Sequence, residues 1–456
     1  MSSVAPIAPA GRGLLRAVGL AFGIAVVVGD TVGVGIMRTS GPTAGRLGGP
    51  LPIYFVWSAV GLFVLMVANT LAELATAIPR AGGPYIYVRR AFGEYLGFVS
   101  GWGSVAIQVF AVAYLAIACS EFLIELCPAL AGHANLLATA AIVLFAAFNS
   151  VGLRASSAAQ QLLSLLKVLM LAALVAAAFM NHGSVSSAPH AAAAIHAAGF
   201  VAVVVSMQTV LEVYEGFNSA CFFSEETTDP DRAIPRALLY GTLLVICIYL
   251  AVNAALLHLL SPAELGASKL AAADALARVY GPQAHRAVAL LALVASLGVL
   301  NVSMLLAPRI LYSMSRDHLF ISIGTYVTRH GVPLTSMWLS AVVAIVIAEF
   351  GGFDTLYTAG GFLSACVFLL CGGSLFVLRW REPALRRPYR AFGYPWIPAA
   401  ALVISAILLV VFVLGNTWPS LLAVAVVALS YPLFRFVRRR QSARPDRNRT
   451  RVVRSE

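Results

Sequence analysis

Apolar stretches long enough to cross a membrane, separated by short polar connections, recur along the chain from near Leu14 to near Val437. A helix needs roughly 20 apolar residues to span a hydrocarbon layer about 30 Å thick. The pattern predicts twelve spans, at 18–37, 50–76, 95–124, 136–153, 160–181, 198–222, 236–260, 286–314, 333–351, 355–379, 396–415 and 417–437. Hydrophobic residues make up 60% of the 456 and charged residues 11%. A soluble fold exposes too much of its chain to hide that fraction from water, so lipid is the solvent that accommodates it. In lipid every backbone polar group must be satisfied internally, and no period-two alternation suggests a barrel. The fold class expected is an all-α polytopic membrane protein with no soluble domain.

The formal net charge of +12 raises the question of a polyanionic partner, and the placement of the basic residues answers it. With an even number of spans both termini share one side. Placing them in the cytoplasm puts 25 basic residues inside, including Arg80, Arg89, Arg90, Arg316 and nine arginines from Arg435 to Arg454. Five lie outside (Arg38, Arg46, Lys269, Arg278, Arg286), and Lys167 alone lies within a span. That asymmetry is the positive-inside rule, and it makes nucleic acid an unnecessary explanation. The location expected is the cytoplasmic (inner) membrane, and the residues after Arg438 read as a basic cytoplasmic tail that can meet anionic headgroups.

Targeting and metal chemistry add little. The first apolar stretch runs into Gly29-Asp30 without a cleavage pattern, so it reads as a retained span. Cys119, Cys127, Cys221, Cys247, Cys366 and Cys371 lie in or at the ends of spans with no C-x-x-C pair, as small buried hydrophobes do. His182, His190 and His196 share an Ala-rich external loop that offers no second shell, so neither a metal nor another cofactor is expected.

Two spans are broken. The first carries Gly29-Asp30-Thr31-Val32-Gly33-Val34-Gly35 and the sixth Glu212-Val213-Tyr214-Glu215-Gly216-Phe217-Asn218-Ser219. An acid at mid-membrane costs about 2.5–3.5 kcal/mol on insertion scales, which is accepted only in a protein interior or a wet cavity. The breaks are five spans apart, and an odd offset means the second unit enters the membrane from the opposite side. Interrupted helices in matching positions of two inverted halves point to a mid-membrane substrate site. Unwinding exposes a half-helix N-terminus that attracts a carboxylate and carbonyls that accept from an ammonium. An amino acid presents both groups.

These residues also resemble a known family. Gly33-Val34-Gly35-Ile36-Met37-Arg38-Thr39-Ser40-Gly41 looks like the G-x-G-I-x-x-T-P-G signature of the amino acid–polyamine–organocation superfamily. Further matches are Ala72-Glu73-Leu74, Ile78 to Tyr85, Ala91-Phe92-Gly93, Gly101-Trp102, Glu225-Glu226 with Asp229-Pro230, Arg232 and Ile234 to Ala237. Pro308-Arg309, Tyr312 to Asp317, Arg387 to Arg390 and Gly393-Tyr394-Pro395 complete a series covering nearly the whole chain. The resemblance implies a leucine-transporter-type fold: a cytoplasmic segment 1–17, inverted five-helix repeats at 18–181 and 198–379, peripheral helices 11 and 12 at 396–437, and a tail 438–456. It implies alternating access to a site between spans 1 and 6. There backbone at Gly33, Val34 and Gly35 would hold a carboxylate, and carbonyls near Thr31 and in the sixth break an amino group. It also places Lys167, with Asp30 as partner, where proton-coupled relatives carry a lysine on span 5; a bracing salt bridge is the alternative.

The sequence departs from the family pattern at Val34, which lacks a hydroxyl, at Ser40, which replaces a proline, and at Glu212, which stands where relatives have a gating aromatic. The expected function is secondary transport of an amino acid, proton-coupled or by exchange. A cationic amino acid or polyamine is the alternative, attracted by Glu212 and Glu215, and a transporter-like sensor without turnover is another. Tyr214 and Phe217 would supply a lid over substrate or else pack in the core, and Asn218 would add a polar group. No converging nucleophile and base suggests an enzyme, and no filter or charged ring a channel.

Overall fold

Residues 14–180, 199–268, 270–415 and 417–442 are described by a computed structural model. They form sixteen α-helices and no strand. The first eight are α1 (Leu20–Thr31), α2 (Gly35–Leu47), α3 (Pro50–Ala77), α4 (Pro84–Phe92), α5 (Glu94–Leu126), α6 (Ala134–Val151), α7 (Leu153–Met180) and α8 (Phe200–Val213). The others are α9 (Pro230–Leu259), α10 (Pro262–Ala267), α11 (Ala271–Tyr280), α12 (Pro282–Arg316), α13 (Leu334–Phe350), α14 (Phe353–Arg381), α15 (Trp396–Gly415) and α16 (Thr417–Ser442). Among the described residues nine helices are long and apolar enough to cross a membrane, and ten crossings result if α1 and α2, bent by 45°, form one broken span. The twelve-span reading rests in addition on α8 and α13, which at 14 and 17 residues are shorter than a full crossing.

Three helices were not expected from sequence. α4 follows the proline-started turn after α3, and α10 and α11 fill the connection between α9 and α12. Short amphipathic helices lack the long apolar run that signals a span. α10 opens with a capping box in which Ser261 and Glu264 exchange hydrogen bonds. The Ser261 amide and Arg278 hold the Glu264 carboxyl down at about 2. This small helix positions α2: a Cβ at Gly45 would lie 2.9 Å from the Gly266 Cα, so the backbones touch where both residues are glycine. α16 continues through Arg438, Arg439 and Arg440, further than the span ending at 437, and the start of the expected tail is therefore helical. His182, His190, His196 and the tail beyond 442 lie outside the described residues.

α12 and α5 form the centre, with 83% and 72% of their most apolar windows buried, whereas α15 and α16 bury 22% and 17% and present their side chains outward as lipid-facing helices do. Cys119, Cys221 and Cys371 are buried as expected, but Cys127 and Cys247 are exposed.

The matched motifs converge at the end expected to face the cytoplasm. Glu225 takes a bidentate Arg316 at 2.8 and 2.9 Å and the Ala81 amide at 2.9 Å. Asp317 receives Arg80, Arg89 and the Tyr85 hydroxyl. Beneath them Arg309, counted from sequence among the cytoplasmic charges, is buried inside α12, doubly bonded to Glu226 at 2.6 and 2.8 Å and lying over the Phe223 ring. A second clamp joins Glu73 on α3 to Arg379, Arg387 and the Ala391 amide.

Removing one partner of a buried ion pair strands the other charge, which costs about 3–5 kcal/mol. Arg309→Met should therefore lower the thermal midpoint of the purified protein sharply, and adding Glu226→Gln should recover part of the loss. A single variant as stable as wild type would contradict this role.

Candidate functional site

α1 stops at Thr31 because Val32 leaves helical dihedrals (φ −78°, ψ 90°), and α2 restarts at Gly35. An uninterrupted helix would pair the amides of Gly33, Val34, Gly35 and Ile36 with the carbonyls of Gly29, Asp30, Thr31 and Val32. None of these four bonds forms. Side chains take up three of the carbonyls. Lys167 Nζ from α7 donates to Gly29 at 2.6 Å and Val32 at 2.9 Å, and the Tyr249 hydroxyl from α9 donates to Thr31 at 2.7 Å. The four amides have no partner among the described residues and lie at or just before the N-terminus of α2.

The sixth-span break lies against this one. α8 ends at Val213, and its carbonyl accepts the same Tyr249 hydroxyl at 2.9 Å. Gly216 has φ +104°, and a Cβ there would stand 2.7 Å from the Asp30 carbonyl carbon, so only glycine lets the segments meet. Ser219, opening the short 3₁₀ turn Ser219–Phe223, donates to the Asp30 carboxylate. Glycine also makes room behind the break, since a Cβ at Gly298 would collide with the Lys167 side chain.

A cavity of about 60 Å³ opens between the two breaks. Of the residues singled out from sequence, Asp30, Thr31, Gly33, Val34, Gly35, Glu212 and Glu215 line it. The remaining residues singled out from sequence lie as follows, with Tyr214 and Phe217 in the core-packed alternative. Lys167 bonds carbonyls on one side of the break while Asp30 accepts from Ser219 on the other, in place of a direct ion pair. Tyr214 is fully buried, bonds the Trp57 carbonyl at 3.2 Å and packs on Trp57 and Tyr249, and Phe217 packs on Phe368. Neither lines the cavity in this structure. Asn218 lies beside a smaller neighbouring void with Glu215 and Ser364.

The structure adds residues that the sequence did not single out. Gln108 and Tyr114 on α5, Ser303 on α12, and Tyr357, Gly360 and Gly361 on α14 complete the wall. The Tyr357 and Ser303 hydroxyls are buried with no hydrogen-bond partner among the described residues. The Tyr357 hydroxyl stands 3.1 Å from where a Gly35 Cβ would be. Tyr114, Tyr357 and Phe353 pack ring on ring above the cavity, and Phe353 is covered in turn by Arg38, which is paired with Glu121. Polar residues and a Gly-Gly pair inside otherwise apolar spans were the available signal.

The sequence matches the profile of the family described as Amino acid permease over residues 14–431. The chain belongs to that family. Similar relatives include the Serine/threonine exchanger SteT of Bacillus subtilis, 25% identical over 422 residues (89% of this chain, 92% of the relative). The mouse b(0,+)-type amino acid transporter 1 is 26% identical over 435 residues (93% and 88%), and the mouse Asc-type amino acid transporter 1 is 25% identical over 431 residues (92% and 81%). All of these are transporters, and the permease is a multi-pass membrane protein of the amino acid–polyamine–organocation superfamily.

One hydroxyl, that of Tyr249, ties both breaks of the permease together. Tyr249→Phe leaves the Thr31 and Val213 carbonyls without it, and a buried unpaired group costs about 1–3 kcal/mol. Hydrogen exchange read by mass spectrometry should speed up in both broken segments at once. Faster exchange in one alone, or in neither, would show that the two are not coupled through this side chain.

Proposed function

We propose that the permease carries amino acids across the cytoplasmic membrane by alternating access, with the substrate held between the two broken spans. The observation that carries this reading is the set of four unpartnered amides from Gly33 to Ile36, three of whose residues, Gly33, Val34 and Gly35, line a cavity that carboxylates also line. A helix N-terminus binds a carboxylate through its free N–H groups and dipole, and Asp30 and Glu215 are placed to receive the ammonium. Of the carbonyls first expected for the ammonium, near Thr31 and in the sixth break, that of Thr31 already holds Tyr249, and its neighbour Val32 holds Lys167, which shifts that task toward the acids.

In this reading residues 18–181 and 198–379 are inverted repeats, with 396–437 as peripheral helices and 1–17 and 438–456 in the cytoplasm. The ion-pair cluster around Glu225 and Asp317 closes the inner side, and Arg38 with Glu121 and Phe353 closes the outer side. Exchange, the activity in the name of the Bacillus relative, and proton coupling through Lys167 and Asp30 are the two modes of turnover. Lys167 bridges α7 to the break itself, so loss of its proton would remove the charge that strengthens its hydrogen bonds to the carbonyls of Gly29 and Val32.

Uptake of labelled amino acids into proteoliposomes tests the proposal. Wild type should transport, and Gly35→Leu, whose side chain would meet Tyr357 and Val213, should abolish uptake while folding normally. Under a pH gradient, Lys167→Ala should lose concentrative uptake and retain exchange if the lysine carries the coupling. Normal uptake by Gly35→Leu would place the substrate elsewhere.

A further inference from the structure

Behind the first break, four side chains from three helices form one hydrogen-bonded line that ends on α1. Asn149 on α6 donates to the Asn301 side-chain carbonyl on α12 at 3.0 Å, and Asn301 donates to that of Gln160 on α7 at 2.8 Å. Gln160 donates to the Ser164 hydroxyl at 3.1 Å, and Ser164 donates to the Ala25 carbonyl of α1 at 2.7 Å. Asn149, Gln160 and Asn301 are fully buried and Ser164 nearly so, and none of them lines the cavity between the breaks.

The direction of the Ser164 hydroxyl is the telling feature. A serine inside a helix ordinarily bonds back to the carbonyl four residues earlier, and Ser150, Ser296, Ser340 and Ser374 do so in this protein. Ser164 reaches across to another helix instead. The Gln160 amide donates into its oxygen from one turn earlier, which occupies that side of the hydroxyl and leaves its proton directed at α1. Gln160 is held in turn by Asn301, and Asn301 by Asn149. Buried carboxamides are costly unless hydrogen-bonded, so these three hold one another and tie α6, α7 and α12 together whether or not α1 is in place.

The contact with α1 is of another kind. The Ala25 carbonyl lies inside α1, where the Gly29 amide is its helical partner, so losing Ser164 leaves no group of α1 unsatisfied there. Gly29 makes the approach possible, because a Cβ at that position would collide with the Gln160 amide and the Ser164 hydroxyl. Lys167, one turn further along α7, takes the carbonyls of Gly29 and Val32. Thus α7 holds the first span by donors set against the carbonyls of Ala25, Gly29 and Val32.

We propose that Gln160 and Asn301 are positioning residues for the first span: they aim the Ser164 hydroxyl at Ala25 and so dock α1 on the fixed unit of α6, α7 and α12. Undocking α1 at this seam is a step of turnover. The proposal rests on the alternating access read above and names the contact that holds the half-helix before the break.

Hydrogen exchange read by mass spectrometry on the purified full-length protein tests it. Ser164→Ala removes the donor and little else. Exchange in α1 should quicken by about fivefold, the worth of one hydrogen bond, while α3, which has no part in the line, keeps its wild-type rate. Ser164→Thr keeps the hydroxyl and should restore slow exchange in α1. Gln160→Leu should quicken α1 as Ser164→Ala does; if it fails to fold, the two Ser164 variants decide the matter. Unchanged α1 exchange in Ser164→Ala, equal quickening of α1 and α3, or no recovery in Ser164→Thr reduces the line to packing and overturns the proposal. In proteoliposomes Ser164→Ala should change the rate of amino acid uptake and Ser164→Thr should return it. A wild-type rate in Ser164→Ala removes the seam from turnover and leaves amino acid transport standing. A wild-type protein that takes up no amino acid fails the transport reading itself, and the role in turnover with it.

Discussion

Breaking a helix inside a membrane releases backbone groups that lipid cannot satisfy, and the rest of this site is arranged around that constraint. Four amides and four carbonyls lose their partners between Gly29 and Ile36. The chain answers the carbonyls from elsewhere, with Lys167 reaching from α7 and Tyr249 from α9. Among the described residues it gives the amides no partner. In the proposed reading this asymmetry makes the break a binding site, because four amides are left open against one carbonyl, that of Asp30, and an excess of donors selects an anion. Gly216 and Gly298 serve the same end by admitting the sixth-span break on one side and the lysine on the other.

The two ends of the molecule are built differently from its middle. At the end expected to face the cytoplasm, four separated motifs supply Arg80, Glu225, Glu226, Arg309, Arg316 and Asp317, joined by Arg89, to a cluster of ion pairs, part of it fully buried. At the opposite end one ion pair, Arg38 with Glu121, lies against the rings of Phe122 and Phe353. Ion pairs near water are exchanged for hydration at modest free-energy difference, whereas the Glu226–Arg309 pair is not. Under the alternating access proposed above, opening would ask least of the exposed pairs and leave the buried one as an axis.

Much of this was legible in the sequence because it depends on long apolar runs and their interruption. The runs placed the long helices, and the Gly33-Val34-Gly35 and Glu212 to Ser219 segments placed the breaks. Short elements were not legible: α4, α10 and α11 carry too few residues to show a period. Side-chain direction was also hidden. Tyr214 and Phe217 flank the break in sequence yet turn into the core, and Lys167, the only span lysine, seats on carbonyls instead of pairing directly with Asp30. Tyr357 and Ser303 went unmarked because a lone hydroxyl in an apolar span has many ordinary uses; what distinguishes these two is that they are buried, unpartnered and on the cavity wall.

The claim on which the rest depends is that the free amides of α2 receive a substrate carboxylate. The most direct measurement is equilibrium binding to the purified protein of an amino acid that it transports and of the same compound as its carboxamide. Two charge-assisted hydrogen bonds lost together predict an affinity for the carboxamide weaker by about a hundredfold or more. Equal affinities for the acid and the carboxamide would contradict the account.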